Sequence, residues 1–192
     1  MLDDAVLRAM ARWPNVPDVY GWLRLDRRGQ WLIKGESIAN ATVRHFISRN
    51  YMRTDNGLFA FQNGPQRVFV ALDYTPWIVS IQPNGQLQLH TGDAPQHMRT
   101  AYLDEVGRLL VEHDDGIALL DDRDLAAASE KFVHLDGEAM TQDEVEATID
   151  ALLDGQEPNL AIELAGQRLP VRFIASSEVA HRYSFQAGPS PD

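Results

Sequence analysis

Apolar positions along this chain follow two different periods, and the changes of period mark out its elements. Leu2, Val6, Met10 and Trp13 keep the spacing of one helical face, with Asp3 and Asp4 near the helix start. Pro14 and Pro17 close that helix. Residues 20–25 and 30–34 then alternate with period two around Arg27-Arg28-Gly29. They read as a hairpin on which Trp22 and Trp31 face each other across the strands. Asn40 is a natural N-cap for a helix carrying Val43, Phe46, Ile47 and Tyr51 on one side. Strands over 58–62 and 66–72 flank Asn63-Gly64-Pro65, where Asn-Gly is read as the tight turn itself. Residues 76–81 and 86–90 form another hairpin about Pro83-Asn84-Gly85.

The second half continues with a short meander over 102–104, 108–112 and 117–120. A helix over 125–131 follows, capped by Asp121 or Asp122. Thr141-Gln-Asp-Glu144 is a capping box for a helix that buries Val145, Ile149, Leu152 and Leu153. Strands over 159–164 and 168–174, a last strand over 182–186 and a frayed tail at 188–192 complete the prediction.

Runs of strands interrupted by single helices predict an α+β fold of mostly antiparallel sheets with a few covering helices, not a βαβ parallel sheet. Residues 31–68 and 132–169 read alike. Each has a strand, a Gly-Glu turn (Gly35-Glu36, Gly137-Glu138), an amphipathic helix, a strand, a tight turn and a strand led by Gln-Arg (Gln66-Arg67, Gln167-Arg168). The expectation is two related strand-helix-strand-strand units packed together, in an N-terminal subdomain of residues 1–98 and a C-terminal subdomain of residues 99–192. A groove between such halves is where small ligands tend to sit.

Composition narrows the function classes. In 192 residues, 44% hydrophobic, there is enough apolar matter for a real core, and no run approaches the roughly 20 residues of a membrane span. The acidic start, Met1-Leu-Asp-Asp, lacks the basic and apolar regions of a secretory leader, so a cytoplasmic location and no membrane contact are expected. The absence of cysteine excludes disulfides, thiolate metal sites and a cysteine nucleophile. A net charge of −11 argues against general nucleic-acid binding. Basic residues concentrate in the first half, at Arg24, Arg27, Arg28, Lys34, Arg44, Arg49 and Arg53.

No nucleophile-elbow, Ser-x-x-Lys, His-Glu-x-x-His, phosphate-loop or dinucleotide motif is present. His90, Asp93, His97 and His113 bring metal-ligand types into one region, but their spacing matches no zinc motif. No metal and no cofactor are expected. The most distinctive hexapeptide is Gln62-Asn63-Gly64-Pro65-Gln66-Arg67, whose amides and guanidinium can present donors to a carboxylate or phosphate. Gln62, Gln66 and Arg67, with Arg44 adding positive charge and Trp77 at a rim after Pro76, form the expected ligand-binding set. The other tryptophans are expected in the core.

Gly29-Gln-Trp31, Gly35-Glu-Ser-Ile38, the helix after them, and residues 61–70 with Tyr74-Thr-Pro-Trp77 together resemble an uncharacterised proteobacterial family classed as a domain of unknown function. The resemblance is strongest over residues 20–93. It implies a two-part α+β fold with repeated units and a ligand-binding or signalling role, and it brings no catalytic residues. The function expected overall is a small-molecule (anionic ligands included) or peptide binding module with a regulatory role. Two other classes fit the same chain: a hydrolase-like enzyme with a scattered site around His90, Asp93 and His97, and a protein–protein adaptor. A homodimer is compatible with any of the three.

Overall fold

The computed structural model describes residues 2–13 and 15–188. The expectations placed on Pro14 and on residues 189–192 of the tail lie outside them. Among the described residues, those up to Pro76, His90–Gly92 and those from Ser184 onward form one compact unit. Trp77–Leu89 and Asp93–Tyr183 form a second.

The first unit opens with helix α1 (Asp4–Arg12) and continues through β1 (Val19–Leu25), β2 (Trp31–Ile33), β3 (Glu36–Ser37), α2 (Ala41–Arg49), β4 (Tyr51–Arg53), β5 (Phe59–Asn63) and β6 (Gln66–Leu72). Its sheet has the order β3-β2-β1-β6-β5-β4, in which only β1 and β6 run parallel. Asn40 caps α2 by accepting from the backbone N–H groups of Thr42 and Val43. Asp3 does not cap its own helix. It receives the Asn50 amide and an Arg49 guanidinium instead, and these hold its carboxyl below the usual carboxylate range.

Two tryptophan expectations are corrected in this unit. Trp31 stands opposite Leu25, is almost fully buried and donates its indole N–H to Ser48 Oγ at 3.1 Å. Trp22 lies on the other face, about half exposed, with the Lys34 ammonium 4.1 Å from its ring centre. The turn at Asp26 sets a register that pairs odd with odd positions, so the two indoles cannot meet. Trp13 is also half exposed, because it follows α1 as its C-cap at φ −132° and leaves the helical stripe.

The second unit contains β7 (Trp77–Ile81), β8 (Leu87–Leu89), β9 (Ala101–Leu103), β10 (Leu109–His113), β11 (Gly116–Leu120), a 3₁₀ turn, α3 (Leu125–Ser129), β12 (Phe132–Val133), α4 (Gln142–Leu153), β13 (Ala161–Leu164), β14 (Gln167–Phe173) and α5 (Ser176–Arg182). The sheet order is β12-β13-β14-β9-β10-β11-β7-β8, with β7/β11 and β9/β14 parallel. Its core includes Leu109, Val111, Ala118, Leu120, Leu160 and Ile162, alternating along buried strands. Thr141 and Glu144 form the capping box of α4. The strand expected over 182–186 is absent; residues 176–182 are helical. Glu105 explains why, since its carboxylate accepts the Ser176 backbone N–H and hydroxyl at the start of α5.

The stretches 31–68 and 132–169 each carry one helix ahead of a closing hairpin, but the first has two strands, β3 and β4, with no counterpart strand in the second, and their leading strands pair differently. β2 is held on β1 by the Asp26 turn, and β4, which follows α2 directly, takes the outer edge of β5. After α4 the chain runs through residues 155–160 without a strand, and β12 takes the matching edge of β13.

Candidate functional site

The site grows out of one turn. Asn63 is the last residue of β5, and Gly64 and Pro65 are the two central residues of the turn, with Asn63 opposite Gln66 and Gln62 opposite Arg67. Gly64 takes φ +57°, and proline fixes its own φ near −65°. A glycine at the first central position is the type II′ arrangement, so the turn lies one residue beyond the Asn-Gly pair expected from sequence. A one-residue shift exchanges faces. It puts Gln62 and Arg67 side by side on one face and sends Asn63 and Gln66 to the other.

On the first face, Gln62 and Arg67 line a cavity of about 590 Å³ with Met10, Trp13, Pro17 and Asp18. Gln62 is 2% exposed. Its Nε2 donates to the Gly64 carbonyl at 3.0 Å, which fixes the amide, while its Oε1 is buried and has no hydrogen-bond partner. The Nε of Arg67 is likewise buried and unpartnered. Among the described residues Arg67 makes no ion pair, whereas Arg24 pairs with Asp73, Arg49 with Asp3, and Arg53 donates to the Ser184 carbonyl. Buried polar groups left without a partner are unfavourable, by roughly 1–3 kcal/mol each. One donor and one acceptor in that condition belong to two residues that line the same cavity.

On the opposite face, Gln66 lines a mainly apolar cleft of about 520 Å³ with Trp22, Ile33, Val43, Phe46 and Phe61. Its Nε2 reaches the Pro17 carbonyl at 3.4 Å. Arg44 joins neither cavity; it donates from α2 to the Ile38 and Ala39 carbonyls. Trp77 belongs to the second unit, where its indole donates to the Asp115 carbonyl at 3.1 Å and its ring meets His113 edge-on. Burial pushes the His113 imidazole below its ordinary pKa. His90 packs against Trp31 and Tyr51, and His97 faces the Asp114 carboxylate. No group of three or more His, Cys, Asp or Glu among the described residues is placed to hold a metal ion.

Sequence reading missed Trp13, Asn15 and Asp18, which close the cavity from the segment between α1 and β1. Their signal in the sequence is a proline-flanked polar stretch, which by itself marks only the end of a helix.

No helix among the described residues is long and apolar enough to cross a membrane. No curated protein matches the chain. Among solved structures, a DUF1285 family protein from Silicibacter pomeroyi aligns with a TM-score of 0.52 at 16% identity, covering 82% of this chain and 84% of that one. A DUF1285 family protein from Shewanella baltica aligns with a TM-score of 0.41 at 14% identity, over 55% of this chain and 87% of the other. The first likeness is one of fold. Residues 2–190 match the model of a family described as "Protein of unknown function (DUF2946)". A family without assigned function agrees with the resemblance carried by residues 20–93, and the chain belongs to it.

Proposed function

We propose that this chain is a binding module for a small anionic molecule, held in the cavity between the β5–β6 hairpin and the segment after α1. The observation that supports it is that Arg67 and Gln62, which line one cavity, each carry a buried polar atom, Nε and Oε1, with no hydrogen-bond partner. Arg67 calls for an acceptor, and its guanidinium favours a charged one such as a carboxylate or phosphate. Gln62 Oε1 calls for a donor. A ligand meeting both carries an anionic group beside a hydroxyl, amine or amide N–H, as hydroxy acids, amino acids and peptide ends do. The half-exposed Trp13 ring supplies an apolar surface for the rest of it.

Native mass spectrometry of protein purified from its own host tests this. Wild type is expected to retain a small anion that Arg67→Ala loses, with affinity for the recovered compound falling by about tenfold or more. Identical spectra for the two proteins, or binding of the recovered compound unchanged by Arg67→Ala, overturn the proposal.

A further inference from the structure

We propose that the second unit carries its own binding site, for a carboxylate on an apolar body, in the cavity walled by Arg172, Arg182 and Tyr102. The strands build it first. β9 and β14 run parallel with Tyr102 opposite Arg172. The last turn of α5 then adds Arg182, whose guanidinium donates to the Tyr102 hydroxyl at 3.0 Å and lies 5.0 Å from the centre of its ring. That hydroxyl donates onward to Glu112 Oε2 at 3.3 Å, so the almost fully buried Tyr102 is held from both ends. The three side chains line a cavity of about 380 Å³, whose apolar surface includes the buried Leu152, Leu160 and Val171. This is within the usual size range for a small-molecule site.

The charge arrangement identifies the occupant. Elsewhere in the unit arginines are matched by acids: Arg99 with Asp114, Arg108 with Asp104, Arg123 with Asp121, Arg168 with Glu163. Arg172 and Arg182 make no ion pair among the described residues, in a chain with 28 acids to 17 bases. Two guanidinium groups on one cavity repel each other, and an anion between them converts repulsion into charge-assisted hydrogen bonds. Glu157 on the wall and Glu112 behind Tyr102 disfavour a second negative charge, which selects a monoanion such as a carboxylate over a phosphate dianion. The apolar lining selects an aromatic or branched body.

The probes are phenylacetate, its neutral isostere phenylacetamide, and inorganic phosphate, titrated into the full chain and followed by amide NMR shifts. Phenylacetate is expected to move the signals of Tyr102, Gly155, Gln156 and Arg172, and to bind about tenfold or more tightly than the other two. Arg172→Gln, at an exposed side chain that makes no ion pair among the described residues, is expected to lower phenylacetate affinity about tenfold while leaving the thermal transition and the Arg67 site unchanged. Arg182→Gln should act in the same direction. If it unfolds the protein, Arg172→Gln alone decides. Equal binding of phenylacetamide or phosphate, shifts confined to residues away from this cavity, or an Arg172→Gln protein that binds like wild type overturns the proposal.

Discussion

The hairpins β5–β6 and β13–β14 place an arginine at the same point, second in the returning strand after a glutamine, and treat it in opposite ways. In the first, Arg67 stands opposite Gln62, pairs with no acid and buries an unpartnered Nε. In the second, Arg168 stands opposite Glu163, and its Nε and Nη2 donate to Glu163 Oε1 at 3.2 and 3.1 Å. Gly137 makes room for it: a Cβ there would lie 2.0 Å from Arg168 Nη2. One amide in place of a carboxylate at the facing position separates an arginine paired within the fold from one whose Nε has no partner there.

Converting the first hairpin into the second breaks the comparison most sharply. Gln62→Glu supplies Arg67 with the counter-ion that Arg168 already has. Affinity for the anion retained by wild type is expected to fall by about 10- to 100-fold, the equivalent of losing one or two charge-assisted hydrogen bonds. Isothermal titration with that anion measures it. The substitution also leaves the Gly64 carbonyl without its donor, so a small loss of thermal stability should accompany the effect. Undiminished binding by Gln62→Glu would mean that ligand and Arg67 do not meet.

The next effect is about the glycines. Gly137 and Gly35 both take positive φ, +98° and +88°, and an alanine at either is strained by about 1–2 kcal/mol. At Gly35 nothing lies within 4 Å of the added Cβ, whereas at Gly137 the methyl must push Arg168 away from Glu163. Gly137→Ala is therefore expected to destabilise more than Gly35→Ala, by a further ~0.5–1 kcal/mol in denaturant titration. Equal losses would show that Arg168 moves aside freely.

These contrasts set the measure of what the sequence made legible. Helix starts were readable because a cap is local: Asn40 and Thr141 satisfy N–H groups two or three residues away. The β5–β6 hairpin was readable as a hairpin but not in its faces. Asn-Gly and Gly-Pro are overlapping turn signals one residue apart, and only the structure shows which one bends the chain. The helix over 176–182 was not readable, because the group that starts it, Glu105, lies 71 positions away. Helical spacing puts Trp13 on the apolar stripe and the hairpin pattern pairs Trp22 with Trp31, yet a helix end and strand parity turn both outward. The arginine contrast was visible only in part. Gln66-Arg67 and Gln167-Arg168 match by eye, but that Gln62 and Glu163 are their partners follows from register.

The smallest expected effect comes from reversing the exchange. Glu163→Gln removes the carboxylate from Arg168 and gives the second hairpin the polar pair of the first. The ion pair is solvent-exposed, with side chains 39% and 49% accessible, so its loss should change stability by less than about 1 kcal/mol, and the change should shrink further at high salt. Binding is the more informative readout. Arg168 is solvated where Arg67 has a buried Nε, and water can take the place of Glu163. The variant is therefore expected to gain no measurable affinity for the anion that wild type retains. If Glu163→Gln did create a second equivalent site, the decisive feature would be the glutamine–arginine pair, and not the cavity closed over it by Trp13 and Asp18. The asymmetry between the hairpins would then rest on one side chain alone.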